Sequence, residues 1–236
     1  MATNRLFSSA AKPLKLYLDT LSQPCRALEI FMKINKIPYE PVTINLGKSE
    51  HHSEEFAKVS RFRKVPVIDD NGFRLTESIA IFRYLCRQYK VEDKWYPKDT
   101  RKQAAVDEYL EWQHIGLRLH CGLYVWAMFF TPNITGEPPN PELVKEREEK
   151  MKNALDELNG IWLKNKPYVV GDEISFADLV AATEVEELKL AGYDPKADRL
   201  ALANWIERVK KDTNPFYDIS HTKINKIAAK LATRKA

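Results

Sequence analysis

The apolar residues of this chain change their spacing once, near residue 90, and that change limits the folds open to it. Before it, segments with apolar residues on alternate positions take turns with segments spaced three and four apart; after it only the helical spacing remains. Leu14, Leu16 and Leu18 fall on one face of a predicted strand. A turn at Ser22-Gln23-Pro24 leads to a helix marked by Ala27, Leu28, Phe31, Met32 and Ile34. Proline early in that turn suits a helix start, where its missing N–H costs nothing. A second strand is predicted around 42–44, a polar helical stretch near 53–59 and a buried strand over 65–68. Asn71-Gly72 reads as a tight hairpin turn with 73–75 as the return strand, and Ile79, Ile81, Phe82 and Leu85 place the next helix. The order is β-α-β-α-β-β-α.

Over 90–97 the pattern breaks. Beyond it Tyr109, Trp112, Ile115, Leu119, Leu123, Trp126 and Phe130 form one long apolar stripe, expected to end where prolines interrupt 131–141. A charged helix is predicted over 141–163. Ser175-Phe176-Ala177-Asp178 reads as a capping box opening another helix, and Trp205, Ile206 and Val209 mark one more. The expected organisation is a disordered tail over 1–13, an α/β domain over 14–89, a linker over 90–97, an all-α domain over 98–222 and a basic tail over 223–236.

The formal charge of +4 sits at the ends. Eight of the 37 basic residues lie in 1–15 and 221–236, which carry no acid, leaving 29 against 33 acids in between. A nucleic-acid partner would need a basic face on the folded body, and none is visible. The longest apolar run, 122–130, is too short to span a bilayer, so no stable membrane insertion is expected. Cys25, Cys86 and Cys121 are an odd number with no C-x-x-C pair, which suits a reducing compartment and a cytoplasmic location. His51-His52 has no third ligand at metal spacing, so no metal is expected.

A small α/β domain with this element order, followed by helices alone, has a thioredoxin-like layout, and particular residues narrow it further. The stretch LYLDTLSQPCR over 16–26, KVP over 64–66, LTESIA over 75–80 and VDEYLEWQH over 106–114 resemble the theta class of glutathione transferases, in order and over roughly 14–217. The resemblance implies a homodimer that binds glutathione as co-substrate, needs no other cofactor and conjugates its thiolate to small electrophiles such as alkyl halides or isothiocyanates. Glutathione-dependent reduction of hydroperoxides would be a second activity.

The resemblance assigns Ser22 to hydrogen-bond the glutathione sulfur. A free thiol has a pKa of about 8.5, yet the thiolate is the nucleophile. A helix N-terminus contributes about 0.3–1 kcal/mol and a hydrogen bond to a charged group about 1.5–3 kcal/mol. At about 1.4 kcal/mol per unit, they lower that pKa by one to three units. The bland alternative is that Ser22 only caps its helix. Cys25, one helical turn further on, reads as a buried and inert thiol.

The resemblance also implies glutathione contacts at Gln23, His51, Lys64, Val65, Pro66, Glu77 and Ser78. The Val65-Pro66 bond would be cis, with the Val65 backbone pairing with the cysteinyl part. Glu77 would take the ammonium and Ser78 the γ-glutamyl carboxylate at a helix start. Lys64 and His51 would meet the glycine end. Arg118, Leu119 and Trp126 would line the pocket for the electrophile, expected between the two domains. Ser60-Arg61 departs from the pattern, and Arg61 and Arg63 would help attract an anionic tripeptide. Two rivals stand beside this reading. A non-catalytic glutathione-binding protein of the same fold would be free to lose Ser22, Glu77 or Ser78, and a glutaredoxin-like thiol transferase would want cysteine at 22.

Overall fold

The computed structural model describes residues 13–235. The expected disordered tail over 1–13 lies, but for Pro13, outside them. The chain divides into two compact units at Tyr96/Pro97.

In the first unit, β1 (Leu14–Leu18), α1 (Gln23–Ile34), β2 (Tyr39–Thr43), α2 (Glu54–Ala57), β3 (Val67–Asp70), β4 (Phe73–Leu75) and α3 (Ser78–Gln88) follow in that order, with single 3-10 turns at Leu46–Lys48 and Glu50–His52. The four strands form one sheet in the order β2-β1-β3-β4. β1 and β2 run parallel, with Leu18 opposite Thr43; β3 and β4 are antiparallel to their neighbours, with Tyr17 opposite Val67 and Ile68 opposite Leu75. Alternation along β1 does what the pattern requires, because Leu14, Leu16 and Leu18 are all buried. Phe31 of α1 meets Phe82 of α3 edge-on at 5.1 Å. Burying side chains of this size contributes about 1.5–3 kcal/mol each. The 71–72 turn is tight because both residues take positive φ, which Gly72 at φ 94 adopts without steric cost. The segment expected as a linker is folded: a 3-10 turn at Asp93–Trp95 buries Trp95, whose ring packs edge-on against Phe31 at 5.9 Å.

The second unit is helical. One uninterrupted run holds α4 (Thr100–Trp112), a π turn (His114–Arg118), α5 (Leu119–Val125), a second π turn (Trp126–Phe130) and α6 (Thr131–Thr135). Two expectations change here. The run continues through Pro132 and stops at Gly136, which takes the left-handed conformation. Pro132 is tolerated because the Thr131 amide already reaches back five residues to the Trp126 carbonyl, so the ladder has slipped where the proline enters. Each π turn also holds one extra residue and shifts the face by roughly 100°. The stripe read at α-helical spacing therefore does not stay inside. Ile115, Leu119 and Trp126 are 74%, 42% and 51% exposed, while Leu117, Cys121, Tyr124 and Val125 take the core.

α7 (Pro141–Glu157), capped by the Asn140 side chain on the Glu142 and Leu143 amides, is followed by a third π turn, Leu158–Trp162. α8 (Phe176–Glu187) opens on Asp178, a fully buried carboxylate. It accepts from the Ser175 amide at 2.8 Å and hydroxyl at 3.1 Å, the Val169 amide at 2.9 Å and Trp205 Nε1 at 2.8 Å. α9 (Leu200–Thr213) supplies Trp205, and α10 (Phe216–Lys235) ends the described chain. The predicted division at 222/223 falls inside α10, where Ile224 is fully buried, so the first residues of the basic segment belong to the helical core. No helix among the described residues is long and apolar enough to cross a membrane.

Candidate active site

The sheet brings one end of every strand together. β1, β2 and β4 are mutually parallel, so their carboxyl ends share an edge, and β3 enters the sheet at that same edge. Ser22 follows the end of β1, His51 the end of β2, Lys64, Val65 and Pro66 precede β3, and Glu77 and Ser78 follow β4. Residues scattered over 22–78 are therefore collected at one sheet edge by topology alone.

The Ser22 turn is held rigidly. Asp19, 3% exposed, accepts from the Leu21 amide through Oδ1 at 2.8 Å and from the Leu46 amide through Oδ2 at 3.0 Å. Its own carbonyl accepts the Ser22 amide at 2.9 Å. The fully buried Arg26 donates through Nη1 to the Thr20 carbonyl at 2.8 Å and the Leu21 carbonyl at 3.2 Å. Neither Asp19 nor Arg26 was anticipated. The spacing D-x-x-S between a strand and a helix is an Asx-turn signal that marks Asp19; nothing in the pattern marks Arg26.

Ser22 occupies the N-cap position of α1, and its carbonyl accepts the Arg26 amide at 3.1 Å, yet its side chain makes no capping bond. The hydroxyl is thus spared the usual work of an N-cap serine. It lies half-buried in hydrogen-bonding reach of the Cys25 thiol. Burial pushes that thiol up to about 12, so Cys25 stays protonated and is a poor nucleophile. Gln23 opens α1 beside it, and no acidic residue in the first turn offsets the positive end of the helix.

Val65-Pro66 is cis, as the resemblance implies. β3 consequently begins at Val67 rather than Val65, and the Val65 backbone stands outside the ladder. The loop before it follows a definite path. Ser60, fully buried, accepts the Lys64 amide at 3.1 Å and donates to the Lys64 carbonyl at 2.9 Å. Lys64 itself is exposed. Arg63, expected with Arg61 to help attract an anionic tripeptide, is paired with Glu54 at 2.8 Å and donates to the His52 carbonyl, whereas Arg61 lies over the Phe62 ring. His51 packs against His52 with ring centroids 3.9 Å apart, and its buried Nδ1 has no hydrogen-bond partner among the described residues. Burial, then the neighbouring His52, hold its imidazole below the usual pKa. Glu77 is exposed at φ 66, a strained conformation for a non-glycine residue, and Ser78 is buried as the first residue of α3.

In the helical unit, Arg118 closes the first π turn and Trp126 opens the second. Such turns cluster at functional sites. Arg118 is not a purely solvated cation, because Nη1 lies 3.6 Å from Oε1 of the buried Glu184. Leu119 is exposed. Trp126 meets Phe130 at a tilt with ring centroids 5.0 Å apart, and Phe130 meets Phe129 edge-on at 5.0 Å, giving a partly exposed aromatic cluster rather than core.

Comparison with known proteins carries the same architecture. Residues 13–87 match the glutathione S-transferase N-terminal domain and residues 122–211 the C-terminal domain. The chain is 47% identical to glutathione S-transferase theta-1 of Bos taurus over 197 residues, 84% of this chain and 82% of that protein. It superposes on apo human glutathione-S-transferase T1-1 with a TM-score of 0.88 at 42% identity, covering 92% of this chain and 91% of that one. A human theta-class enzyme in complex with the glutathione conjugate of 1-menaphthyl sulfate gives the same TM-score at 35% identity, covering 95% and 92%. Two domain matches in order, identity of this depth and a shared fold leave one conclusion: the chain belongs to the theta class of glutathione S-transferases, enzymes that conjugate glutathione to electrophiles.

Proposed function

We propose that glutathione binds along the strand-end edge of the first unit and that Ser22 converts its thiol into the attacking thiolate. The observation that carries this is the Ser22 hydroxyl, uncommitted to capping, at a helix N-terminus with no acid in its first turn. A hydroxyl there donates to sulfur, and the helix end favours the anion. The Val65 backbone pairs with the cysteinyl part. Glu77 takes the ammonium, Ser78 the γ-glutamyl carboxylate, and Lys64 and His51 the glycine carboxylate, with Gln23 beside the sulfur. The orphaned His51 nitrogen and the strained Glu77 support those two assignments.

The reaction loses the thiol proton to solvent, forms a sulfur–carbon bond and releases the leaving group with its electron pair. From an alkyl halide the halide ion departs; an isothiocyanate has no leaving group and takes a proton on nitrogen after the thiolate adds to its carbon. Arg118 stabilises developing negative charge, while Leu119 and Trp126 offer apolar surface to the electrophile. Hydroperoxide reduction uses the same thiolate: two glutathiones become the disulfide as the peroxide becomes alcohol and water. The enzyme works as a cytoplasmic homodimer.

The test is glutathione-dependent turnover of an alkyl halide, an isothiocyanate, an aryl halide and cumene hydroperoxide, with glutathione affinity measured by calorimetry. Turnover of at least one substrate is expected, and sedimentation should give a dimer. Tight glutathione binding without any turnover favours the carrier instead.

A further inference from the structure

Glu184 is a carboxylate on α8 with 1% of its side chain exposed, and it faces a cation that is not buried. Arg118 Nη1 lies 3.6 Å from Glu184 Oε1, while 31% of the arginine side chain remains open. A pair kept only for packing would bury both partners, since the stability of a buried charge depends on complete pairing. Here one guanidinium nitrogen stands at ion-pair distance, too long for a hydrogen bond, from a carboxylate fixed in the core, and among the described residues that ion pair is the guanidinium's one partner, leaving N–H donors for a ligand. The setting favours an anchor. Glu184 sits in the middle of a helix buried at nearly every position, and Arg118 ends a π turn, so both backbones are fixed. Burial raises the Tyr109 and Cys121 pKa values, with the charges of Asp178 and then Glu184 adding at Tyr109 and that of Glu184 at Cys121, so these two groups stay neutral and do not compete for the arginine.

We propose that Glu184 is a positioning residue for the transferase reaction. It holds the inner edge of the Arg118 guanidinium, so that the outer N–H groups meet developing negative charge in one orientation. A free arginine side chain would surrender rotamer entropy on being fixed, and an anchor spares the transition state that cost. The proposal rests on the assignment of Arg118 to the electrophile pocket.

The experiment is a double-mutant cycle of Glu184→Gln and Arg118→Ala in the full chain, read as kcat and both KM values with an alkyl halide. Expected is a loss of about tenfold in kcat for Glu184→Gln. The KM for glutathione should be unchanged, and there should be no further loss when Glu184→Gln is added to Arg118→Ala. If Glu184→Gln costs the same factor with and without Arg118, it acts on the fold alone and the proposal is wrong. If Arg118→Ala is fully active, the assignment of Arg118 fails and the proposal falls with it, while the glutathione half of the site stands. Should Glu184→Gln not fold, Glu184→Asp, which keeps the charge one methylene shorter, completes the same cycle.

Discussion

Replacing Ser22 by alanine separates catalysis from stability unusually well. The Ser22 side chain makes no capping bond to α1, whereas Ser53 accepts the Phe56 amide at 3.1 Å and does cap α2. Ser53→Ala should therefore cost about 1 kcal/mol. Ser22→Ala should stay within about 0.5 kcal/mol of wild type, a Tm shift under about 2 °C for a chain of this size. The catalytic effect is larger. Loss of a hydrogen bond to a charged sulfur removes about 1.5–3 kcal/mol, or roughly 10- to 150-fold in kcat/KM. The pH dependence has a definite sign. Ser22 favours the thiolate, so its loss raises the thiol pKa, depresses activity most at low pH and least where thiol is ionised in both proteins. Steady-state kinetics with an alkyl halide across pH, beside thermal unfolding, reads both effects. Equal turnover at every pH, or a loss matched by a large Tm drop, would refute the reasoning.

Three further outcomes follow from the geometry. Ser60→Ala frees both ends of the Lys64 peptide, so the KM for glutathione should rise about 5- to 30-fold with kcat largely kept; an unchanged KM would show that the loop holds its path without the hydroxyl. Cys25, buried and pushed up to about 12, should resist iodoacetamide in the native protein, and mass spectrometry finding rapid Cys25 modification would contradict that. Asp178→Ala strands the Val169 amide and Trp205 Nε1 in the core and should cost about 3 kcal/mol or more in urea denaturation, with a loss below about 1 kcal/mol counting against the network.

How much of this could be read before the structure depends on what each element writes into residue type. β1 was legible because Leu14, Leu16 and Leu18 alternate, and α8 because Ser175 and Asp178 stand at capping-box spacing. The π turns were not, since a slipped backbone hydrogen bond leaves no mark in composition. That silence left the apolar stripe unbroken on paper, although Ile115, Leu119 and Trp126 turn outward, an exposure compatible with the pocket role expected of Leu119 and Trp126. Trp95 within a supposed linker was a signal passed over, because a tryptophan in a short polar stretch is a strong candidate for burial. At the site, Ser22 was readable from its turn. Arg26 and Ser60 were not, because both hold backbone carbonyls or amides that only the folded chain brings near them. Glu184 left no distinct trace, since α8 also carries Asp178, Glu186 and Glu187.

The account turns on whether this site makes a thiolate. The ultraviolet absorbance of glutathione thiolate, titrated against pH in the binary complex with wild type and with Ser22→Ala, measures that directly. An apparent thiol pKa one to three units below the free value of about 8.5 in wild type, returning most of the way in the variant, is the predicted result. A bound thiol in wild type that titrates at the free value would contradict it.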